Sequence, residues 1–396
     1  MNEHEHIVRG FQASAVAAGL KKENVLDLAL IFSEKEATVA GVFTTNQVKA
    51  APVILSREHV GSGKAKAIIA NSGNANACTG NTGLNDARLT AELLAKELGI
   101  ASEEVLVAST GVIGQTLDMD LISGSIPGLV EALSPDGIPD AARAIMTTDS
   151  FSKISRFEGL AGDVPYHILG IAKGAGMIMP RMATLLCFIL SDIRIDARDL
   201  KHALLSPVES TFNRITVDGD TSTNDMVLAM ANGTAGNDPL SKADQRGFID
   251  GLETVMGELA RMMVKDGEGA TKLVNIEVKG AHSPSDALKA AKTVANSSLV
   301  KTAFYGQDPN WGRIMAALGR AGIVMEEQGV DIWIDDILIV EGGLGKGIEP
   351  EKKAAEKMGE QEFDLTIDLH QGDCQDRIIT CDLTHEYVTI NADYRT

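Results

Sequence analysis

The chain has 396 residues, of which 44% are hydrophobic, so one large or two to three smaller folding units are expected. Its formal net charge of −19 would repel a phosphate backbone, which argues against nucleic-acid binding. No segment approaches the roughly 20 apolar residues that a membrane-spanning helix needs. The N-terminal sequence MNEHEHIVRG carries no apolar signal segment, so we expect a cytoplasmic protein without membrane partners.

The cysteines and histidines show no local metal-binding pattern. The four cysteines form no C-x-x-C pair, and the eight histidines include no H-E-x-x-H motif. Cys187 lies in the apolar run TLLCFIL, where a buried, small hydrophobic residue is expected. The sequence therefore indicates no metal site, although ligands that are distant in sequence stay open.

In chain order, the first predicted elements are strands. Residues 27–32 and 37–43 are β-branched and apolar, and we expect them to pair with each other. A helix is predicted over residues 85–98, capped by Asn85, with a stripe of four leucines, and ended by Gly99. A second helix is predicted over Lys242–Lys265, whose apolar, methionine-containing face is typical of a core.

The last third of the chain has the periodicity of strands. Apolar and polar residues alternate strictly over residues 363–370, which predicts a strand with one solvated face. Val274, Ile276 and Val278 alternate in the same way. Residues 332–339 contain Asp335-Asp336 between apolar runs, which predicts a hairpin. The alternation of strand and helix patterns along the whole chain indicates the α/β class.

Glycine-rich segments have different meanings along this chain. The segment 267–271 (GEGAT) interrupts the pattern and predicts a boundary between domains at residues 1–270 and 271–396. The segment 342–347 (GGLGKG) lacks the spacing and the Ser/Thr of a phosphate-binding loop, so a surface turn is expected. The segment 218–225 (DGDTSTND) resembles a calcium loop but has threonine where the sharp-turn glycine is needed.

The segment KGAGMIMPRMATLLCFIL (173–190) carries the strongest chemical signal. A small-residue turn leads through Pro180 to Ala183 and Thr184, and then into an apolar strand. A threonine at the start of a buried strand is explained by strand propensity alone. It is also the arrangement of an N-terminal nucleophile: Thr184 attacks the Ala183 carbonyl, and cleavage of the ester releases a new α-amino group. With an ordinary pKa of about 7.7–8.0, that amine can act as the base for its own hydroxyl, so no histidine is needed.

The same segment resembles the cleavage segment of the ornithine acetyltransferase family, also called the glutamate N-acetyltransferase family. Further stretches resemble this family, in the same order, along nearly the whole chain. They are GVFTTNQVKAAPV (41–53), IIANSGNANACTG (68–80), STGVIGQ (109–115), FNRITVDGDTSTND (212–225), KDGEGATK (265–272), FYGQDPNWGRIMAALGRAG (304–322) and NADYRT (391–396). Several long stretches in order are far more specific than one short motif.

The resemblance implies cleavage between Ala183 and Thr184, after which Thr184 accepts the acetyl group of N-acetylornithine and passes it to glutamate. It implies an oxyanion hole at Thr110 and Gly111. The family's remaining substrate contacts correspond to Thr147, Lys173, Glu268, Asn391 and Thr396. It further implies a four-layer α-β-β-α sandwich with a smaller C-terminal α/β domain, and an α2β2 assembly of the two fragments. The polar segments 71–77 and 218–225 are expected to border the pocket or to support Thr184.

Two other functions stay open. Related folds with self-generated nucleophiles include aminopeptidases and amidases, in which water resolves the same acyl-enzyme. An uncleaved binding or structural protein would instead remain a single chain of 41.9 kDa. The resemblance implies no resident cofactor, and whether acetyl-coenzyme A serves as a second acetyl donor also stays open.

Overall fold

A computed structural model describes residues 6–21, 24–179 and 185–393. The described chain divides into two compact units: the first holds the residues up to 213 together with 220–263, and the second holds 214–219 and 264–393. This division groups residues 264–270 with the second unit. The domain boundary at residues 270 and 271 stays a prediction.

The first unit is built on one mixed sheet with helices around it. Its strands are β1 (Phe11–Val16), β2 (Leu28–Phe43), β3 (Lys64–Asn74), β4 (Val105–Val112), β5 (Lys153–Ala161), β6 (Val164–Lys173), β7 (Leu186–Ser191) and β8 (Met226–Ala231). The helices are α1 (Ala51–His59), α2 (Gly80–Leu98), α3 (Met119–Glu131), α4 (Ile138–Ala144), α5 (Ala197–Ser210) and α6 (Lys242–Lys265), of which α6 ends in the second unit. The strand order is β4-β3-β2-β8-β7-β6-β5, and β1 pairs with β2.

Alternate residues of the sheet face different cores. Leu28 and Leu30 of β2 pack with α1, α2 and α3 on one face. Ala29 and Ile31 face a second core, which β6, β7 and β8 share with α4. The other face of β6 is covered by α6, since a Cβ on Gly170 would lie 2.8 Å from Val255 and Leu259. Helices thus cover the outer faces. Strands β1 to β4 and strands β6 to β8 share the core between them and form the two β layers, which confirms the predicted α-β-β-α sandwich.

Two of the local predictions for the first unit were wrong in detail. Residues 27–32 and 37–43 do not pair with each other. Apart from Asp27, they lie on the single strand β2, which pairs with β3 on both sides of a register shift between Phe32 and Ala37. A bulge, not a turn, absorbs the polar residues between them. The helix predicted from Asn85 begins at Gly80 and ends as expected before Gly99, whose φ is +67°.

The second unit has a six-stranded sheet in the order β12-β11-β10-β13-β9-β14. Its strands are β9 (Leu273–Ala281), β10 (Asp331–Ile334), β11 (Ile337–Glu341), β12 (Leu344–Gly345), β13 (Glu362–Asp368) and β14 (Cys374–Cys381). Its helices are α7 (Pro284–Ala295), α8 (Ser298–Tyr305), α9 (Trp311–Gly319), α10 (Ile348–Met358) and α11 (His385–Asp393). The apolar residues of β9 and β13 are buried, as their alternation predicts.

The hairpin predicted around residues 335 and 336 is confirmed. β10 and β11 pair antiparallel with Ile334 opposite Ile337, and Asp335 has a φ of +48°. The segment 342–347 forms a turn at Gly342 and Gly343 that leads into the short strand β12, and residues 344–347 are exposed, as expected for a surface turn. No helix in the described part of the chain is long and apolar enough to cross a membrane.

Candidate active site

Thr110 and Gly111 lie at the carboxyl end of β4, where β4 runs beside β3. Thr110 is buried, with 8% of its surface exposed. Gly111 pairs with Gly73 and has a φ of +132°. A Cβ on Gly111 would lie 2.3 Å from the carbonyl carbon of Gly73, so only glycine fits this approach of two backbones. The glycines therefore fix the position of Thr110 at the strand end.

Lys173 reaches Thr110 from the end of β6. Its Nζ donates a hydrogen bond of 3.2 Å to Oγ1 of Thr110. An ammonium group can only donate, so the Thr110 hydroxyl accepts here and keeps its own proton for another acceptor. The neighbouring positive charge also makes that hydroxyl a better donor. Two residues that the family resemblance assigns to the site are thus brought together.

Asp149 organises the residues around this pair. Its carboxylate accepts hydrogen bonds from the amides of Thr147 (2.9 Å) and Gly174 (2.7 Å) and from Nζ of Lys153 (2.7 Å). The side chains of Asp149 and Lys153 are both fully buried. Burial alone would raise the pKa of Asp149, but the charges of Lys173 and Lys153 and these hydrogen bonds lower it to about 2. Asp149 therefore stays ionised and holds Thr147 and the turn after Lys173 in place.

Sequence reasoning missed Asp149 and Lys153. The only local signal is their spacing of four residues in the run TTDSFSK, which is also what a solvated surface pair shows. Their burial is decided by the packing around β5 and is not visible in that run.

Residues 220–225 of the polar segment 218–225 contact the chain on both sides of the predicted cleavage point. Thr221 forms an isolated antiparallel β-bridge with Ile178, and its hydroxyl donates a hydrogen bond to the carbonyl of Met179 at 2.9 Å. Beyond the cleavage point, the amide of Leu185 donates to the carboxyl group of Asp225. Burial raises the pKa of Asp225 well above its ordinary value, because the charged carboxylate loses its hydration there. Ala183 and Thr184 themselves lie outside the described residues.

The polar segment 71–77 supports the end of β4. The side-chain amide of Asn224 donates to the carbonyls of Ala75 (2.6 Å) and Ser109 (2.8 Å). The hydroxyl of Ser109 donates to Asn71 at 2.5 Å. Both polar segments therefore brace the residue that precedes Thr110, which is a structural reason for buried amides in a loop.

In the second unit, Glu268 and Asn391 are in direct contact. The amide of Asn391 on α11 donates a hydrogen bond of 2.7 Å to Oε2 of Glu268. The hydroxyl of Thr384, just before α11, donates to the carbonyl of Gly269 at 2.7 Å. The start of α11 thus rests on the loop that carries Glu268. Asn391 is exposed, and Thr396 lies outside the described residues.

A buried hydroxyl donor, a glycine at a strand end and a lysine, carried by an α-β-β-α sandwich, supply the kinds of hydrogen-bond donor that an enzyme of the acyl-transfer class needs. The chain matches the ArgJ family over residues 12–396. It is 51% identical, over 98% of this chain and 100% of the relative, to arginine biosynthesis bifunctional protein ArgJ of Geobacter sulfurreducens. It is 45% identical, over 98% of this chain and 97% of the relative, to glutamate N-acetyltransferase of Methanocaldococcus jannaschii.

A solved structure of arginine biosynthesis bifunctional protein argJ from Bacillus halodurans is also similar. It is 42% identical, with a TM-score of 0.50, and the match covers 52% of this chain and 98% of that chain. The chain belongs to the ArgJ family, and the acyltransferase class predicted from the sequence is confirmed.

Proposed function

We propose that this enzyme transfers the acetyl group of N2-acetyl-L-ornithine to L-glutamate, giving L-ornithine and N-acetyl-L-glutamate for arginine biosynthesis. The observation that carries the proposal is the match to named arginine-biosynthesis and glutamate N-acetyltransferase relatives over 98% of the chain. The contact between Lys173 and Thr110 supports it, because a hydroxyl that accepts a hydrogen bond from an ammonium group is a suitable donor to the oxyanion of acyl transfer.

The nucleophile in this proposal is Thr184, which first cleaves its own chain. Its Oγ attacks the carbonyl carbon of Ala183, the C–N bond breaks, and the released amine takes the proton. Water then hydrolyses the ester, leaving fragments 1–183 and 184–396.

The transfer itself proceeds through an acetyl ester on Thr184. Thr184 Oγ attacks the acetyl carbonyl, and the amide bond breaks as the α-amine of ornithine takes a proton. The α-amine of glutamate then attacks the ester carbonyl and restores the free hydroxyl, which gives ping-pong kinetics. Thr110 Oγ1 and the amide of Gly111 stabilise the oxyanion in each of these steps.

The other site residues bind the substrates. We assign Lys173 to a substrate carboxylate and Thr147 to a substrate hydrogen bond. Glu268, held by Asn391, is assigned to the side-chain ammonium of ornithine, and Thr396 completes the contacts from the C-terminus. Transfer rather than hydrolysis requires that the bound acceptor excludes water from the ester. We further propose that two copies of each fragment form the active assembly.

The first test is an intact mass spectrum under denaturing conditions. Scaling 41.9 kDa by 183/396 and 213/396 gives fragments of about 19 and 23 kDa, the larger beginning at Thr184. Thr184→Ala should remain one inactive chain, because both cleavage and transfer need the hydroxyl, whereas Thr184→Ser keeps a hydroxyl and should still cleave. Cleavage of the alanine variant would overturn the nucleophile assignment.

The second test separates transfer from hydrolysis. Release of ornithine from N-acetylornithine should depend on added glutamate, with N-acetylglutamate formed in equal amount. Release at the same rate without glutamate would favour the amidase alternative. Acetyl-coenzyme A in place of N-acetylornithine then decides whether a second acetyl donor is used.

A further inference from the structure

Lys21 is a cation near this site to which the preceding assignments give no role. It lies in the loop between β1 and β2. The buried carboxylate of Asp27 accepts hydrogen bonds from the amides of Ala18 (2.6 Å) and Lys21 (2.9 Å). Asp27 in turn is tied to β3, because the amide of Ser72 donates to its carbonyl. The backbone of Lys21 is therefore fixed to the edge of the sheet that carries Thr110.

The side chain of Lys21 packs against Gly73. A Cβ on Gly73 would lie 3.0 Å from Cγ of Lys21, so the stem of the lysine lies directly on Gly73. Gly73 is the strand partner of Gly111. At the far end, Nζ donates a hydrogen bond of 2.5 Å to the carbonyl of Met146, the residue before Thr147. The ammonium of Lys21 is thus held at the residue that precedes Thr147, which the proposed function assigns to substrate binding.

The charges around Lys21 favour the binding of an anion. Burial lowers the pKa of Lys21 to about 8. The charge of Lys173 also lowers this pKa, whereas the carboxylates of Asp27 and Asp149 raise it. The carboxylate of Asp149 is already engaged by Lys153. Lys21 is half-buried, and within the described chain its Nζ has one hydrogen bond for three protons. A carboxylate that bound here would relieve the repulsion between two ammonium groups.

We propose that Lys21 is a second carboxylate-binding residue, acting with Lys173 on the α-carboxylate that N-acetylornithine, ornithine and glutamate share. This inference rests on the proposed function, because that function supplies the substrates. Lys21 is a substrate-binding group here, so it acts on affinity and not on the chemical step.

The test compares ornithine with ornithinamide, whose α-carboxylate is replaced by a neutral amide. Calorimetry on wild-type enzyme, Lys21→Met and Lys21→Arg needs no turnover. Lys21→Met should weaken ornithine binding by about tenfold but ornithinamide binding by less than about twofold. Ornithinamide already lacks the carboxylate that Lys21 would bind, so removing the lysine costs it no further interaction. Lys21→Arg should restore most of the affinity for ornithine. Equal losses on both ligands would overturn the inference.

Kinetics provide the second readout. In Lys21→Met, KM for N-acetylornithine should rise about tenfold while kcat changes by less than about threefold, as expected when ground-state and transition-state binding are lost together. In wild-type enzyme, KM should rise as the pH passes 8, where Lys21 loses its proton, and Lys21→Arg should remove this rise. Unchanged pH dependence in the arginine variant would contradict the assignment.

Two controls keep the outcomes distinct. Lys35 on β2 is exposed, so Lys35→Met makes the same chemical change away from the site. It should leave the affinities for ornithine and ornithinamide unchanged. Wild-type enzyme that binds ornithine but transfers no acetyl group would defeat the proposed function and leave the calorimetric test of Lys21 intact. An active wild-type enzyme with equal losses in Lys21→Met would defeat only the Lys21 inference.

Discussion

The cluster around Thr110 and the pair formed by Glu268 and Asn391 are built in opposite ways. Thr110 is buried, and its neighbours Asp149 and Lys153 form an ion pair with no exposed side-chain surface. Glu268 lies on a loop and is held through one hydrogen bond to the exposed Asn391 on the C-terminal helix. Donors to a transition state must be fixed to a fraction of an ångström, which strand ends and buried charges provide. A contact to a long, flexible substrate side chain tolerates an adaptable partner.

The comparison predicts that substitutions in the Thr110 cluster affect both folding and chemistry, whereas substitutions in the Glu268 pair affect only substrate affinity. Each of the following changes tests one side of this contrast.

Asp149→Asn should have the largest effect. It removes the carboxylate that Lys153 contacts in a fully buried environment, which typically destabilises a protein by about 3–5 kcal/mol. Activity should also fall, because Thr147 and Gly174 lose a charged acceptor. Urea unfolding measures the first effect. The double variant Asp149→Asn, Lys153→Met should recover part of the stability, and a double variant that is less stable than the single one would contradict the buried-pair interpretation.

Thr110→Val should lower kcat by about 10²–10³-fold, because the proposed oxyanion donor is lost while the shape of the side chain is kept. KM should change little. Thr110→Ser keeps the hydroxyl and should retain most of the activity. A valine variant with wild-type kcat would remove Thr110 from the oxyanion hole.

Acid should weaken the cluster through Asp149. Its pKa is about 2 in the folded protein and 3.8 ordinarily, so its contribution is present above about pH 4 and is lost as the pH falls towards 2. The contribution is on the order of 2 kcal/mol. The stability difference between wild-type enzyme and Asp149→Asn should therefore narrow below pH 4. A constant difference down to pH 2 would show that charge is not the cause.

Glu268→Gln should have the smallest effect on the fold. Since the pair with Asn391 is solvated, the free energy of unfolding should change by less than about 0.5 kcal/mol. KM for N-acetylornithine should rise by about three- to tenfold, because the residue proposed to bind its ammonium group loses its charge, and KM for glutamate should not rise. Asn391→Ala should show a weaker version of the same pattern. An equal rise for glutamate would contradict the assignment.

Local patterns succeeded where one face of an element is simply buried. Helix α6 has the predicted bounds Lys242–Lys265, and its apolar face is buried. The prediction failed at the start of α2, because Gly80 and Gly83 are poor helix formers. Gly83 is required there for a tertiary reason: a Cβ would lie 1.8 Å from Oγ1 of Thr79 and 2.2 Å from Oδ1 of Asn76.

Some residues of the candidate site were predictable from the sequence and others were not. Thr110, Lys173 and Glu268 were predicted by resemblance of continuous segments, and the structure adds which of them touch. Asp149, Lys153 and Lys21 were not predicted, because an isolated charge in a loop or at the start of a strand is ordinarily solvated. Only their burial and their partners distinguish them from surface residues.

The amino-acid sequence by itself determined the α/β class, the strand periodicity of the second unit and membership in an acyltransferase family, because these depend on local apolar spacing and on long continuous motifs. The tertiary structure alone decided that β2 is one bulged strand, that Lys173 reaches Thr110, and that Asp149 anchors both Thr147 and Gly174. The contacts of Lys173 with Thr110 and of Asp149 with Gly174 join residues far apart in the chain, and their energies depend on burial and on the charges that packing brings together.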